Sequence, residues 1–197
     1  VISIFKESGK TCVQVFFFRS KQNWGNQAFF PRHDADDSVK EILTSFISQF
    51  YENKTIPSLI ITNQDIIEKQ LLEKTFSIKE NKEILIKKAK NSDEMRVSKL
   101  AEKNAKQSLE QKLYQLESNN DLIESLSLKF NLNTNINLIE VYDNSHIQGT
   151  DSIGALICFG NEGFVKKRYR KFNIKNDKIK SDDFGMMKEV LFRRFSK

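Results

Sequence analysis

Val141-Tyr142-Asp143-Asn144-Ser145-His146-Ile147-Gln148-Gly149 gathers a carboxylate, a hydroxyl, an imidazole and a glycine at the end of an apolar run that begins near Leu138. A carboxylate held on a strand is what a hard divalent cation requires. Mg²⁺ takes charged oxygen ligands, and a rigid element fixes their position. Asp143 is therefore the candidate metal ligand, with Ser145 and His146 as candidate support. A second acidic step, Asp182-Asp183, precedes the helical pattern of Met186, Met187, Val190, Leu191 and Phe195. Between the two lie Lys166, Lys167, Arg168, Arg170 and Lys171, the cluster best suited to nucleic-acid phosphates.

Each of these groups has a plainer use. Asp followed by Asn and Ser at a strand end also makes a turn or a local cap. A lone histidine after a strand also serves as a hydrogen-bonded structural residue. Asp182-Asp183 before an apolar helix is also N-capping chemistry, which stabilises by roughly 1 kcal/mol. A charged strand also protects a sheet edge from aggregation.

The elements that must position these groups follow from periodicity. Val1–Phe5 and Thr11–Arg19 read as a hairpin, with a turn at Asn23-Trp24-Gly25-Asn26 and a short third strand over Gln27–Phe30. Asp34, Asp36, Asp37 and Ser38 offer helix-start chemistry before Val39, Ile42, Leu43, Phe46, Ile47 and Phe50, which follow at helical spacing. Leu59–Ile61 reads as a buried strand, Asn63 as the cap of a second helix, and Glu83–Ile86 as a further strand. A helical stretch from Asp93 to Phe130 is expected to break at Asn119-Asn120. Leu138–Asp143, Ile153–Phe159 and Phe164–Ile174 read as three strands, the last two joined by the turn Asn161-Glu162-Gly163.

The order is thus β-β-β-α-β-α-β over residues 1–90, and β-β-β-α over 138–197. Three antiparallel strands, a crossover helix and a parallel strand make the order of the ribonuclease H-like α/β fold, a mixed sheet with flanking helices. The expected organisation is a nearly complete copy over 1–92, a helical connector over 93–134 and a truncated second copy over 135–197. Nucleases of this fold hold metal on a carboxylate of the first strand of the sheet. The second copy has one, Asp143, whereas Val1-Ile2-Ser3-Ile4-Phe5 has none, so the first copy is expected to be inactive.

Composition sets wide bounds. The chain has 197 residues, 39% of them apolar, with sixteen Phe, enough to fill a core. No apolar run approaches the roughly 18 residues of a membrane span. The opening carries no signal peptide pattern and begins in strand-like residues without Met, as a fragment would. A net charge of +6 is compatible with a polyanionic partner. Cys12 and Cys158 lie apart in apolar strand patterns, which fits a reducing cytoplasm.

The motif Asp143 to Gly149 resembles the C-terminal half of the UvrC family, the incision subunit of the bacterial nucleotide-excision-repair excinuclease. So do Tyr169-Arg170-Lys171-Phe172-Asn173-Ile174, Asp182-Asp183-Phe184 and Arg193-Arg194-Phe195. Cys12–Val15, Phe29-Phe30-Pro31, Phe46–Tyr51, Leu100-Ala101 and Asn104-Ala105 fit the same register. The resemblance implies a DNA endonuclease that cuts 5′ of a lesion, dependent on Mg²⁺ or Mn²⁺. Asp143 and Asp183 would be its catalytic metal ligands, with His146, Ser145 and Asp182 in support. Lys167, Arg168, Arg170 and Lys171 would meet DNA. The implied partners are damaged double-stranded DNA and a UvrB-type damage-recognition subunit, whose contact segment is expected outside these residues. The fragment alone is expected to be inactive, because the family's later acid and histidine lie beyond Lys197. Asn144 stands where most relatives have Ile, Ser181 where they have Gly, and Lys90-Asn91-Ser92 where they have Pro-Arg-Gly. The alternatives are a non-catalytic DNA- or protein-binding module, and a ribonuclease H-like nuclease acting on RNA.

Overall fold

The computed structural model describes residues 1–20, 22–147, 150–179 and 182–196. Gln148 and Gly149 of the opening motif, and Ser181, lie outside the described residues. The chain divides into two compact units, Val1–Leu113 and Tyr114–Lys197.

The first unit is a five-stranded mixed sheet. Its strands are β1 (Ile2–Glu7), β2 (Lys10–Arg19), β3 (Gln22–Phe29), β4 (Leu59–Thr62) and β5 (Leu85–Lys88), in the order β3-β2-β1-β4-β5. β1 pairs antiparallel with β2 and parallel with β4, and β4 parallel with β5. Ser8 and Gly9 both take positive φ (50° and 70°), the conformation a two-residue hairpin turn needs. The second hairpin departs from expectation. Asn23-Trp24-Gly25-Asn26 is strand, part of β3, whose pairing with β2 extends to Gln22 opposite Arg19. A register shift at Phe17/Phe18 and a φ of +126° at Gly25 absorb the irregularity that resembles a turn signal in the sequence.

Helix α1 (Val39–Phe50) begins in a capping box. The Glu41 N–H donates to Ser38 Oγ at 3.3 Å, and the Ser38 N–H donates to Glu41 Oε2 at 2.7 Å. Its apolar face, with Phe76 of α2 (Lys69–Glu80), closes a core over Ile2, Ile4, Val13, Val15, Ile60 and Ile86. The opposite face of the sheet is covered from a third helix, α3 (Ser92–Lys129), through Ala105 and Leu109 against Cys12 and Phe5.

Asn63 does not cap α2, which starts six residues later. Its amide instead extends the β4 side of the sheet: Nδ2 donates to the Ile4 carbonyl at 2.9 Å and Oδ1 accepts from the Ile4 N–H at 3.0 Å. Asn91 takes up the capping role, for α3: its Oδ1 accepts from the Glu94 N–H at 2.8 Å. The Lys90-Asn91-Ser92 segment is thus a helix start in this chain.

α3 runs unbroken through Asn119 and Asn120. Asparagine in a helix interior costs only about 0.7 kcal/mol against alanine. Here the Asn119 side chain is buried, with Nδ2 within 3.5 Å of the Asn161 carbonyl. No described helix is long and apolar enough to cross a membrane.

The second unit holds an antiparallel sheet of β6 (Leu138–Ile147), β7 (Thr150–Gly160), β8 (Gly163–Phe164) and β9 (Arg170–Asn173). β6 lies on one edge of β7; β8 and β9 both pair with β7. Helix α4 (Asp183–Phe195) sets Met186 and Val190 on Leu156, Cys158, Phe172 and Ile174. Phe164–Ile174 is not the single strand its alternation suggests. Phe164 pairs with Phe159, so regular register would bring Lys167 opposite Leu156, yet Arg170 pairs there. The three surplus residues leave the sheet as a 3₁₀ turn over Lys166–Arg168.

Candidate functional site

The second unit brings the start of α4 against the end of β6. Asp182 is the N-cap, its Oδ1 accepting from the Phe184 N–H at 3.1 Å, which leaves the Asp183 carboxylate directed to solvent. Asn144 Nδ2 donates to the Asp183 carbonyl at 3.3 Å, and His146 Nε2 stands 4.0 Å from Asp183 Oδ1. Gly154 of β7 makes the approach possible, since a Cβ there would lie inside the Val190 side chain. Asn144 Oδ1, 3.0 Å from that position, is buried with no hydrogen-bond partner among the described residues.

Strand alternation sorts the remaining candidates onto two faces. Asn144 pairs across to Gly154 and on to Phe172, and Tyr142 to Leu156 and on to Arg170. These rows face α4. Asp143 pairs to Ala155 and on to Lys171, a row on the opposite face. Two strand spacings put Lys171 about 9.5 Å from Asp143, with the small Ala155 between them. Ser145 shares the Asp143 face. The described residues therefore bring Asp183 to His146 and Asn144, and set Asp143 in one row with Lys171. The basic run that looks like one patch in the sequence is split. Lys171 shares the face of the first acid two strands away, Lys167 and Arg168 ride the 3₁₀ turn, and Arg170 belongs to the α4 face.

At the far end of α4, charges are tied down. Glu140 Oε1 accepts from Arg194 Nη2 at 2.6 Å, and Glu140 Oε2 accepts from the Tyr142 hydroxyl at 2.5 Å. The Arg194 hydrogen bond, followed by that of Tyr142, holds the Glu140 carboxyl below the usual glutamate range. Burial, and then the Glu140 bond, push the Tyr142 hydroxyl up to about 12. Arg193 donates to Glu189 Oε1 at 3.0 Å and to the Asn173 carbonyl at 2.8 Å. Arg193 and Arg194 escape a reading of spacing alone, where they look like ordinary last-turn cations; only their side chains' return onto β6 and β9 sets them apart.

The carboxylates fit a hard divalent cation in donor type. Such an ion is commonly held by one or two carboxylates, with water and substrate phosphate completing its shell. Among the described residues no three His, Cys, Asp or Glu side chains converge. Cys12 and Cys158 are both buried and free, and burial raises the Cys12 thiol to about 11, away from a thiolate ligand.

Residues 1–112 match the family model described as UvrC Ribonuclease H-like domain, and residues 127–197 the one described as UvrC RNAse H endonuclease domain. The whole chain is similar to UvrABC system protein C of Bartonella quintana, at 44% identity over 198 residues. It is 42% identical to that of Maricaulis maris and 41% identical to that of Brucella abortus over the same length. The chain spans 29%, 31% and 32% of these three relatives.

Proposed function

The chain belongs to the UvrC family, and from that membership we propose that it is the part of a metal-dependent DNA endonuclease that makes the incision 5′ of a lesion in nucleotide excision repair. Residues 1–92 serve this function as a scaffold without metal chemistry, 93–134 as a helical connector, and 135–197 carry the acids. The observation that supports the reading best is the row Asp143–Ala155–Lys171, which sets a carboxylate and a cation about 9.5 Å apart across three strands. Asp143 is the metal-holding carboxylate. Asp183, linked to β6 through Asn144 and His146, is the second acid, and Lys171 meets the phosphate backbone beside the cut. A divalent ion, Mg²⁺ or Mn²⁺, supplies Lewis-acid stabilisation of the reacting phosphate when bound. The enzyme acts on damaged duplex DNA together with a UvrB-type damage-recognition subunit.

The test is 5′ incision of a lesion-bearing duplex by the full-length protein with its partner. Asp143→Asn is expected to lower the rate about a thousandfold or more, the several kcal/mol a metal site supplies. Asp183→Asn, on the other face of β6, is expected to cost about 10–100-fold, the scale of a supporting group. Incision at the wild-type rate by Asp143→Asn would sink the assignment and favour a non-catalytic binding module. Cleavage of the corresponding RNA instead of the DNA would replace it with a ribonuclease.

A further inference from the structure

A groove of about 530 Å³ opens on the α4 face of the second unit, lined by Arg168, Arg170, Arg193, Arg194, Glu140 and Phe172 among others. The chain has seven arginines and twenty-five lysines. Four of the seven arginines line this one groove, and no lysine does. Lysine would provide the same charge; the guanidinium adds a planar fork of donors that matches two oxygens of one oxyanion.

The four are not equivalent. Arg194 is held by Glu140, and Arg193 by Glu189, the Asn173 carbonyl and the Phe172 ring, 5.5 Å away. Those two are braced. Arg170 Nη1 donates to the Lys167 and Tyr169 carbonyls, which leaves the rest of its fork available. Arg168, exposed on the 3₁₀ turn, feels Glu140 only through space. Counting Glu140 and Glu189, four cations face two carboxylates, so the groove keeps an excess of positive charge. Glu140 already seats a carboxylate on one of its forks, so the geometry accepts an oxyanion.

We propose that this groove is a seat for a single backbone phosphate of the DNA, gripped by Arg168 and Arg170 and braced by Arg193 and Arg194, separate from the phosphate that is cut. The proposal rests on the DNA-endonuclease reading above and adds the place where the strand is anchored. Arg194 is eleven residues along α4 from Asp183, about 16 Å at the helical rise. That corresponds to about five base steps of duplex from the second acid. The seat would set the register of the strand relative to the acids without touching the reacting atoms.

The experiment measures binding of the full-length protein to a lesion-bearing duplex as a function of salt, for wild type, Arg168→Gln, Arg170→Gln, the double variant and Arg168→Lys. Each glutamine variant is expected to bind several-fold more weakly. Because both arginines serve one phosphate, the double variant should reduce the slope of log K against log salt by about 0.9, not twice that. Arg168→Lys should keep the wild-type slope while losing part of the affinity. In a scan of single neutral methylphosphonates along the strand, one position away from the incised bond should weaken wild type and leave the double variant indifferent. Thermal midpoints confirm that each variant is folded; if the glutamine variants are not, Arg168→Lys with the methylphosphonate scan decides alone. An unchanged slope, or no position-specific methylphosphonate effect, overturns the seat. So does a loss of partner-protein binding with DNA binding intact, which would mark the groove as a dock for an acidic protein surface. Incision retained by Asp143→Asn strikes the catalytic reading, whereas these salt slopes strike only the seat.

Discussion

Asn144 pairs a polar side chain with a place that suits an apolar one. Its Nδ2 reaches the Asp183 carbonyl, but its Oδ1 is buried without a partner among the described residues. Leaving an acceptor unsatisfied costs about 1–3 kcal/mol, more than one amide–carbonyl bond returns. The family resemblance has Ile at this position, which would fill the space beside Gly154 with methyl groups. Asn144→Ile is therefore expected to stabilise the protein by about 0.5–2 kcal/mol, measured as a shift in urea midpoint at constant slope. A destabilised variant would mean that the bond to Asp183 matters more than the orphaned oxygen. At this scale residue types were legible and their faces were not. Asp143, Asp183 and the basic run stand out by composition. That Asp143 looks away from α4, in company with Lys171 and not Arg170, depends on the register of three strands.

Two elements show where periodicity stops being informative. Alternation from Phe164 to Ile174 is consistent with one strand, yet three residues too many separate the two pairings with β7, and the surplus folds into a 3₁₀ turn. Register of this kind is a relation between distant segments, so no local window contains it. The same holds for Asn119, whose poor helix propensity predicts a break that its burial near Asn161 overrides. By contrast, α1 lies where helical spacing places it, and of the four residues with helix-start chemistry Ser38 is the N-cap, in a capping box contained within four consecutive residues. The β7–α4 contact yields a sharp expectation. Gly154→Ala would place a methyl group within Val190, an overpacking that typically costs about 1–3 kcal/mol. Faster hydrogen exchange in β7 and α4, with β1 and β2 unchanged, would register it; uniform protection would show that α4 can shift at no cost.

Across the molecule, the topology of the first sheet agrees with the expected strand order, because strand type, crossover helix and handedness leave few alternatives. β1 does carry one acid, Glu7, but at its exposed end beside the hairpin turn and paired with Lys10. The acid-free stretch Val1–Phe5 is the basis for proposing a scaffold role for residues 1–92, and that proposal makes a measurable claim. Leu43→Ala, in the centre of the first core, is expected to cost about 2–5 kcal/mol of stability. Below its melting temperature, however, the rate of incision at saturating DNA should stay at the wild-type value. A fall in that rate without a fall in folded fraction would give the first unit a part in the chemistry. Asn63 bears on the same question from a different direction. Its amide both gives and takes a hydrogen bond at Ile4, standing in for a missing peptide group between β1 and β4. A carboxylate in its place, nearly identical in shape, has no proton to give and would confront the Ile4 carbonyl with a negative charge. An aspartate at position 63 would therefore open the seam between β1 and β4. The side chain thus acts as a clasp between the two strands, closed only while it is an amide.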